Sequence, residues 1–325
     1  MISVVIVNYN GADHLPVCLQ SLRRQTLKPL EILLVDNAST DSSRQILLNF
    51  PEVEVIQNSS NEGFSKAVNR AAELARAGVL GVLNTDVELD RRFLEEGLRT
   101  LEKTGAAAVA AKILFYDRRA VINGVGGGMN YLGYGWDRGL NEIDHGQYDE
   151  TEEVFFASGG ACFLKRDLFL KLGCFDDYFF MYHEDVDYCW RARLHGHQIV
   201  TAPRAVAYHK YGAITRRELG WSRREILGER HNLRSLLKNY EMSNAIRAWI
   251  RIALIPLPFR RKLAQIQNFF VNLAWLPDTL ARRRQIQKSR RISDQQVRQF
   301  IWQSNALPVR PAVEDQGSPA SAELG

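Results

Sequence analysis

The side chains with the type and setting to do chemistry stand where apolar runs stop. Asp36 follows Ile32-Leu33-Leu34-Val35 and precedes Asn37-Ala38-Ser39-Thr40-Asp41. A carboxylate there can accept hydrogen bonds from a nucleobase N–H or from ribose hydroxyls, although Asp and Ser are equally the usual N-cap residues of a helix. Asp86 lies in Leu83-Asn84-Thr85-Asp86-Val87, where an acid held at a strand edge can ligate Mg²⁺ or Mn²⁺ bridging diphosphate oxygens. The plainer reading makes Asp90 the cap of the next helix and extends that role to Asp86. Glu184 and Asp185 open a helix, a place where any protein favours acids because of the helix dipole. Two adjacent acids behind the aromatic cluster Phe179-Phe180-Met181-Tyr182 are better explained by an active-site rim. Asp187 stands four residues before Arg191, the spacing of a helix-surface ion pair, which gives it a structural role. His209 closes a strand-like run. A lone histidine is more often structural than a ligand, and the strand-end position shifts the balance toward a ligand.

These residues need elements to position them. Ile2 to Asn8 is an apolar run with a polar end, and Leu15, Cys18, Leu19 and Leu22 then share one face of a helix to Gln25. The unit repeats. Glu31 to Val35 and Val53 to Ile56 read as strands around a helix that Ser39, Thr40 or Asp41 could cap and that reaches Phe50. A helix from Phe64 to Ala77 leads into a strand from Val79 to Leu83. This alternation predicts an α/β fold with a mostly parallel sheet covered by helices on both faces. Asn8, Asp36 and Asp86 then stand at the carboxyl ends of three strands, where open α/β sheets bind ligands. Beyond Ala107 to Phe115 the glycine-rich stretch Gly124 to Gly139 reads as a loop or irregular hairpin. Order returns with Phe155 to Leu164, helices near Asp167 to Leu172 and His183 to His195, and a strand from Gln198 to His209.

The charge is unevenly spread. Residues 210–310 hold 21 Lys and Arg against 6 Asp and Glu, whereas residues 1–209 hold 21 against 28. An acidic body thus carries a basic C-terminal arm. The expected divisions are 1–115 and 116–215, which the family resemblance described next makes a nucleotide-sugar-binding half and an acceptor-binding and catalytic half, then a helical basic and amphipathic region over 216–307 and a disordered tail over 308–325 rich in Pro, Ser, Ala and Glu. The four cysteines show no CxxC spacing, which suits a reducing cytosol. The N-terminus starts on a strand and carries no signal-peptide pattern. The longest apolar candidate, Ala245 to Leu276, is interrupted by Arg247, Arg251, Pro256, Pro258 and the triplet Arg260 to Lys262, so a spanning helix is not expected. Its mixture of aromatic and basic residues predicts docking on the cytoplasmic face of an anionic membrane, and packing on the catalytic body is the alternative.

In order along the chain, VVIVNYNG (4–11), VDNASTD (35–41), NEGFSKAVN (61–69), LNTDV (83–87), SGGACFLKRDLF (158–169), FDDYFFMYHEDVDYCWRARLHG (175–196) and AYHKYG (207–212) resemble glycosyltransferase family 2, enzymes of the GT-A fold. Within it the pattern is most similar to rhamnosyltransferase-type members that build bacterial surface polysaccharides. The resemblance implies that Asp36 binds the base and that Asn8 and Tyr9 hold the nucleotide, with Asn61, Gly63 and Asn84 in the same donor site. It implies Asp86 as the metal-binding acid of a DxD-type motif, His209 as a second metal contact, and Asp185 with Glu184 as the catalytic pair, Asp185 being the base. Asn84 takes the first position of that motif, leaving one carboxylate fewer.

The implied reaction moves a sugar from a nucleotide diphosphate donor to a glycan or polyprenyl-linked acceptor, with a divalent metal at the leaving group. One base and no covalent nucleophile mean a single displacement with inversion. A nucleotidyltransferase would need a glycine-rich basic triphosphate loop, and VNYNGADH has one glycine and no Lys or Arg. A non-catalytic sugar-nucleotide-binding protein would be expected to lack Asp86 or Asp185. A nucleic-acid-binding role explains the basic arm and not the acidic body, so no nucleic-acid partner is expected.

Overall fold

The computed structural model describes residues 1–210 and 220–302. The expected tail over 308–325 and the last two residues of the AYHKYG segment lie outside the described residues. The sheet begins with β1 (Ile2–Asn8), β2 (Glu31–Asp36), β3 (Val53–Gln57) and β4 (Val79–Asn84), all mutually parallel in the order β3-β2-β1-β4. β1 and β2 are apolar runs because both faces are covered, α1 (Leu15–Arg23) belonging to one crossover and α3 (Phe64–Leu74) to another. α2 is short, Ser43–Leu47. The helix read as far as Phe50 stops early, and the carboxylate of Asp41 accepts the Ser43 N–H at its start.

The sheet then departs from simple alternation. β5 (Val87–Leu89) and α4 (Phe93–Thr104) precede β6 (Ala108–Phe115). The glycine-rich insert supplies β7 (Ile122–Val125), which pairs with β6, and the hairpin β8 (Gly127–Asn130) with β9 (Gly135–Asp137). β10 (Ala161–Lys165) enters between β4 and β6, antiparallel to both, and β11 (Ile199–His209) lies parallel to β6 and antiparallel to β5. The result is a mixed sheet, β3-β2-β1-β4-β10-β6-β11-β5, with a separate small sheet in which β12 (Ile301–Trp302) joins β8 and β9. Strand register sets Asn8 beside Asp36, and Val7 beside Asn84, at one edge.

α5 (Arg166–Lys171) follows β10, and α6 (Glu184–Leu194) follows the aromatic cluster. α6 is buried around its whole circumference, because α7 (Gly220–Asn239) crosses the side that the sequence assigns to solvent. The Asp187–Arg191 pair is therefore an interior one and not the surface pair expected from its spacing. Asp187 is fully buried; its carboxylate takes Arg191 Nε at 3.0 Å, Ser235 Oγ at 2.9 Å, Asn239 Nδ2 at 3.0 Å and Lys238 Nζ at 3.0 Å. Lys238 also meets Asp176, which Arg234 Nε reaches at 2.8 Å. Burial alone would raise the pKa of both acids, but the Lys238 charge, with Arg234 at Asp176 and Arg191 at Asp187, outweighs it and holds both carboxyls below the usual range.

α8 (Met242–Leu254), α9 (Phe259–Ala274), α10 (Leu276–Ser289) and the short α11 (Asp294–Val297) complete the described chain. The basic C-terminal helices share the body's core: Leu233, Leu236, Tyr240, Ala245 and Ile252 pack in the same apolar cluster as Trp190 and Phe155.

Candidate active site

A cavity of about 650 Å³ opens where β4, β7, β9, β11 and the start of α6 converge. It brings together Asn84, Asp86, Glu184, Asp185 and His209 from three separate sequence segments. Asn8, Tyr9, Asp36, Asn61 and Gly63 are not on its wall; they stand at the adjoining ends of β1 and β2 and before α3.

At that adjoining edge the side chains organise a loop. Asp36 Oδ1 accepts from Asn8 Nδ2 at 2.8 Å and from the Ser39 hydroxyl at 2.5 Å, and Oδ2 accepts from Ser39 N at 3.1 Å and Gln57 Nε2 at 2.8 Å. All four acceptor positions of this carboxylate are thus engaged within the chain. Asn61 Oδ1 accepts the Gly63 N–H at 3.1 Å. Gly63 has φ +87°, and a Cβ there would come within 2.2 Å of the Phe180 carbonyl oxygen, so only glycine lets this loop approach the segment before α6. The Phe64 N–H donates to the same Phe180 oxygen at 2.6 Å, tying the two segments together.

On the cavity's other side, Asn123 Oδ1 can only accept, so His209 Nδ1, at 2.9 Å, carries the proton. His209 Nε2 then faces Asp86 Oδ1 at 3.2 Å, an ion pair when the imidazole is protonated. Asp86 Oδ1 is buried and has no aligned hydrogen-bond donor. A proton on Nε2, or a cation beside both atoms, would satisfy this contact. Among the described residues no cluster of three or more His, Cys, Asp or Glu is placed to hold a metal, so a cation here would take its remaining ligands from a bound molecule or water.

Asp185 lies at the first turn of α6, its Oδ2 accepting from Gly159 N at 3.0 Å and its Oδ1 from Val186 N at 2.8 Å. Sequence leaves burial and the helix dipole in opposition here; in the structure burial prevails and raises the Asp185 pKa despite these amides. Glu184 is raised further, by burial and by the Asp185 charge, which makes it the protonated partner of the two. Its Oε2 is buried without a hydrogen-bond partner. Before them, Tyr182 and His183 both adopt left-handed backbone, φ +71° and +75°, and His231 Nδ1 meets the Tyr182 carbonyl at 2.8 Å. Consecutive non-glycine residues in that region concentrate strain beside the acids. Burial lowers the His183 pKa to about 3, so its imidazole is neutral.

Sequence reasoning does not reach much of the wall. Asn123 and Trp136 come from the glycine-rich insert, whose geometry has no periodic signature. Arg224 and Glu229 of α7 and Arg261 and Gln265 of α9 come from the region read as a basic arm. The acids Glu225 and Glu229, one helical turn apart within that basic region, are the available signal that this face turns toward a site.

Comparison with known proteins places this geometry. The family pattern described as "Glycosyl transferase family 2" matches residues 3–173. N-acetylglucosaminyl-diphospho-decaprenol L-rhamnosyltransferase of Mycobacterium tuberculosis is 30% identical over 241 residues, covering 67% of this chain and 78% of that protein. The low-salt glycan biosynthesis hexosyltransferase Agl10 of Haloferax volcanii is 26% identical over 59% of this chain and 61% of its own. Among solved structures, GalNAc-T7 crystallised with UDP, GalNAc and Mn²⁺ superposes with a TM-score of 0.63 at 18% identity, over 82% of this chain and 54% of that one.

Proposed function

The chain belongs to glycosyl transferase family 2 and is a glycosyltransferase, and from that premise we propose that it moves a sugar, rhamnose being the first candidate, with inversion from a nucleotide diphosphate donor to a lipid-linked glycan acceptor. The observation that carries the reading is the convergence on one cavity of the paired acids Glu184 and Asp185 with Asp86 and His209. The sugar and the lipid-linked acceptor come from the mycobacterial relative's described activity. Such an acceptor would be met at an anionic membrane surface on the cytoplasmic side; among the described residues no helix is long and apolar enough to cross a membrane.

In this reading the nucleotide lies over the ends of β1, β2 and β4. Asn8 and Tyr9 border it, Asn61 and Gly63 shape the loop beneath it, and Asp36 exchanges an internal bond, such as that with Gln57, for one to the base. Asp86 and His209 would hold Mg²⁺ or Mn²⁺, which as a Lewis acid would supply charge neutralisation at the departing diphosphate. The pair fits that role because an imidazole nitrogen and a buried carboxylate oxygen with no hydrogen-bond donor, both metal-ligand atoms, stand 3.2 Å apart at the cavity wall. Asn84, at the cavity wall, supplies a neutral amide where a second carboxylate would repel the diphosphate.

Asp185 takes the acceptor hydroxyl proton as that oxygen attacks the anomeric carbon from the face opposite the leaving group. The two backbone amides fix its carboxylate, and burial raises its basicity above that of an ordinary aspartate. Protonated Glu184 adds no second negative charge and can donate a hydrogen bond to the acceptor sugar.

Removing the imidazole tests the metal pair. His209→Ala should weaken binding of a nucleoside diphosphate by about tenfold in Mn²⁺ and leave binding in EDTA unchanged, as read by calorimetry. An equal loss in both conditions would make His209 a structural residue and Asp86 a lone ligand.

A further inference from the structure

Amphipathic helices in water turn their polar side outward; α9 does the reverse. Gln265, Asn268 and Asn272 face the protein and are buried, donating to the main-chain carbonyls of Ile252 at 2.9 Å, Ile226 at 3.0 Å and Arg230 at 3.0 Å. The opposite stripe, Phe259, Leu263, Ile266, Phe270 and Leu273, is 47–78% exposed. α8 adds a second stripe at four-residue spacing, Met242, Ile246, Ile250 and Leu254, while Ala245, Ala248 and Ile252 are buried. Both helices rest on α7, and they meet each other through Trp249 and Phe269, whose ring centres are 5.9 Å apart. The exposed stripes therefore lie on the side of this hairpin away from α7, and so many large apolar side chains on one short segment are more than monomeric proteins commonly leave in water.

Charge selects what covers it. From Met242 to Ser293 the chain carries eleven Arg and Lys and one acid, Asp278, and Arg247, Arg284 and Lys288 are exposed. A second copy would bring the same excess of positive charge to the contact, whereas an anionic lipid surface neutralises it. The helices are too short and too interrupted to span, which leaves the bilayer interface. The same hairpin also reaches the catalytic cavity: Leu257 of its turn and Arg261 and Gln265 of α9 form part of the wall.

We propose that the α8–α9 hairpin beds its two apolar stripes in the surface of an anionic bilayer, so that one element both anchors the enzyme and walls the cavity that receives the acceptor. The anchoring half stands on the surface alone; the delivery half rests on the reading of a lipid-linked acceptor.

The test is sedimentation of the full chain with vesicles of phosphatidylcholine, with and without phosphatidylglycerol, at low and high salt. The parent should pellet with the anionic vesicles and be released by salt. Replacing Ile266 and Phe270 together by Asp should lower the bound fraction about tenfold or more without changing transfer to a water-soluble acceptor analogue, and replacing both by Leu should preserve binding. A parent that stays in the supernatant over anionic vesicles at low salt overturns the proposal, as does a double-Asp variant that pellets like the parent. A parent that ignores vesicles and is a dimer by light scattering, converted to monomer by the double-Asp change, assigns the surface to a second copy instead. Vesicle binding by a parent that transfers no sugar would uphold the anchor and overturn the catalytic reading.

Discussion

Asp185→Asn is expected to lower the rate of sugar transfer by about 10²–10⁴-fold while leaving donor binding within about twofold of the parent. The amide keeps the size of the carboxylate and can still accept from Gly159 N or Val186 N, so the loop and helix start are preserved. What it loses is the capacity to take a proton. Because burial raises the Asp185 pKa, the parent's rate should fall as the pH drops through a value above the ordinary aspartate pKa of about 4. The variant's residual rate should lose that acid limb. Stopped assays across pH, paired with donor binding by calorimetry, read both effects. A variant with parental rates, or one that no longer binds donor, would remove Asp185 from the role of base.

The second large effect is on stability. Lys238→Met should destabilise the protein by about 3–5 kcal/mol at neutral pH, since it leaves two buried carboxylates, Asp176 and Asp187, short of a cation. Both acids have depressed pKa values in the folded parent. Their contribution to stability is therefore present above the unfolded pKa of about 4 and is lost as pH falls through the folded values. In the variant the two carboxyls titrate higher, so its deficit should shrink as the pH is lowered toward that range. Urea unfolding at several pH values measures this. A deficit that does not change with pH would mean that the loss is one of packing and not of charge. α7 is thus tied to α6, the helix that presents Asp185, through a cluster distinct from the catalytic acids.

What was legible in the sequence, and what was not, divides along physical lines. The strand ends carrying Asn8, Asp36 and Asp86 could be read because continuous apolar runs stop at polar residues, a local signal that survives without tertiary information. The antiparallel insertion of β10 between β4 and β6 could not, because pairing is chosen by residues more than fifty positions apart. Asp187 illustrates a subtler limit: i,i+4 spacing identifies the pair with Arg191 but says nothing of whether another helix lies on top. α9 shows the same limit for a whole element. Periodicity reveals that one face is apolar and one polar, and only the partners Ile226 and Arg230 reveal that the polar face is the one turned inward. For the glycine-rich insert, Asn123 acquires meaning only through its contact with His209, which is set by the strand pairing of β7 with β6.

The account's central claim, a single displacement at the cavity shared by Asp185 and Asp86, is tested most directly by the anomeric configuration of the product. The full chain is incubated with Mn²⁺, a panel of nucleotide diphosphate sugars and a short-chain polyprenyl-diphosphate-linked N-acetylglucosamine, and the glycoside is examined by NMR. One donor should be consumed to give a glycoside whose anomeric centre is opposite to the donor's. A product that retains the donor's configuration would require a second displacement and a covalent nucleophile, and would contradict the mechanism.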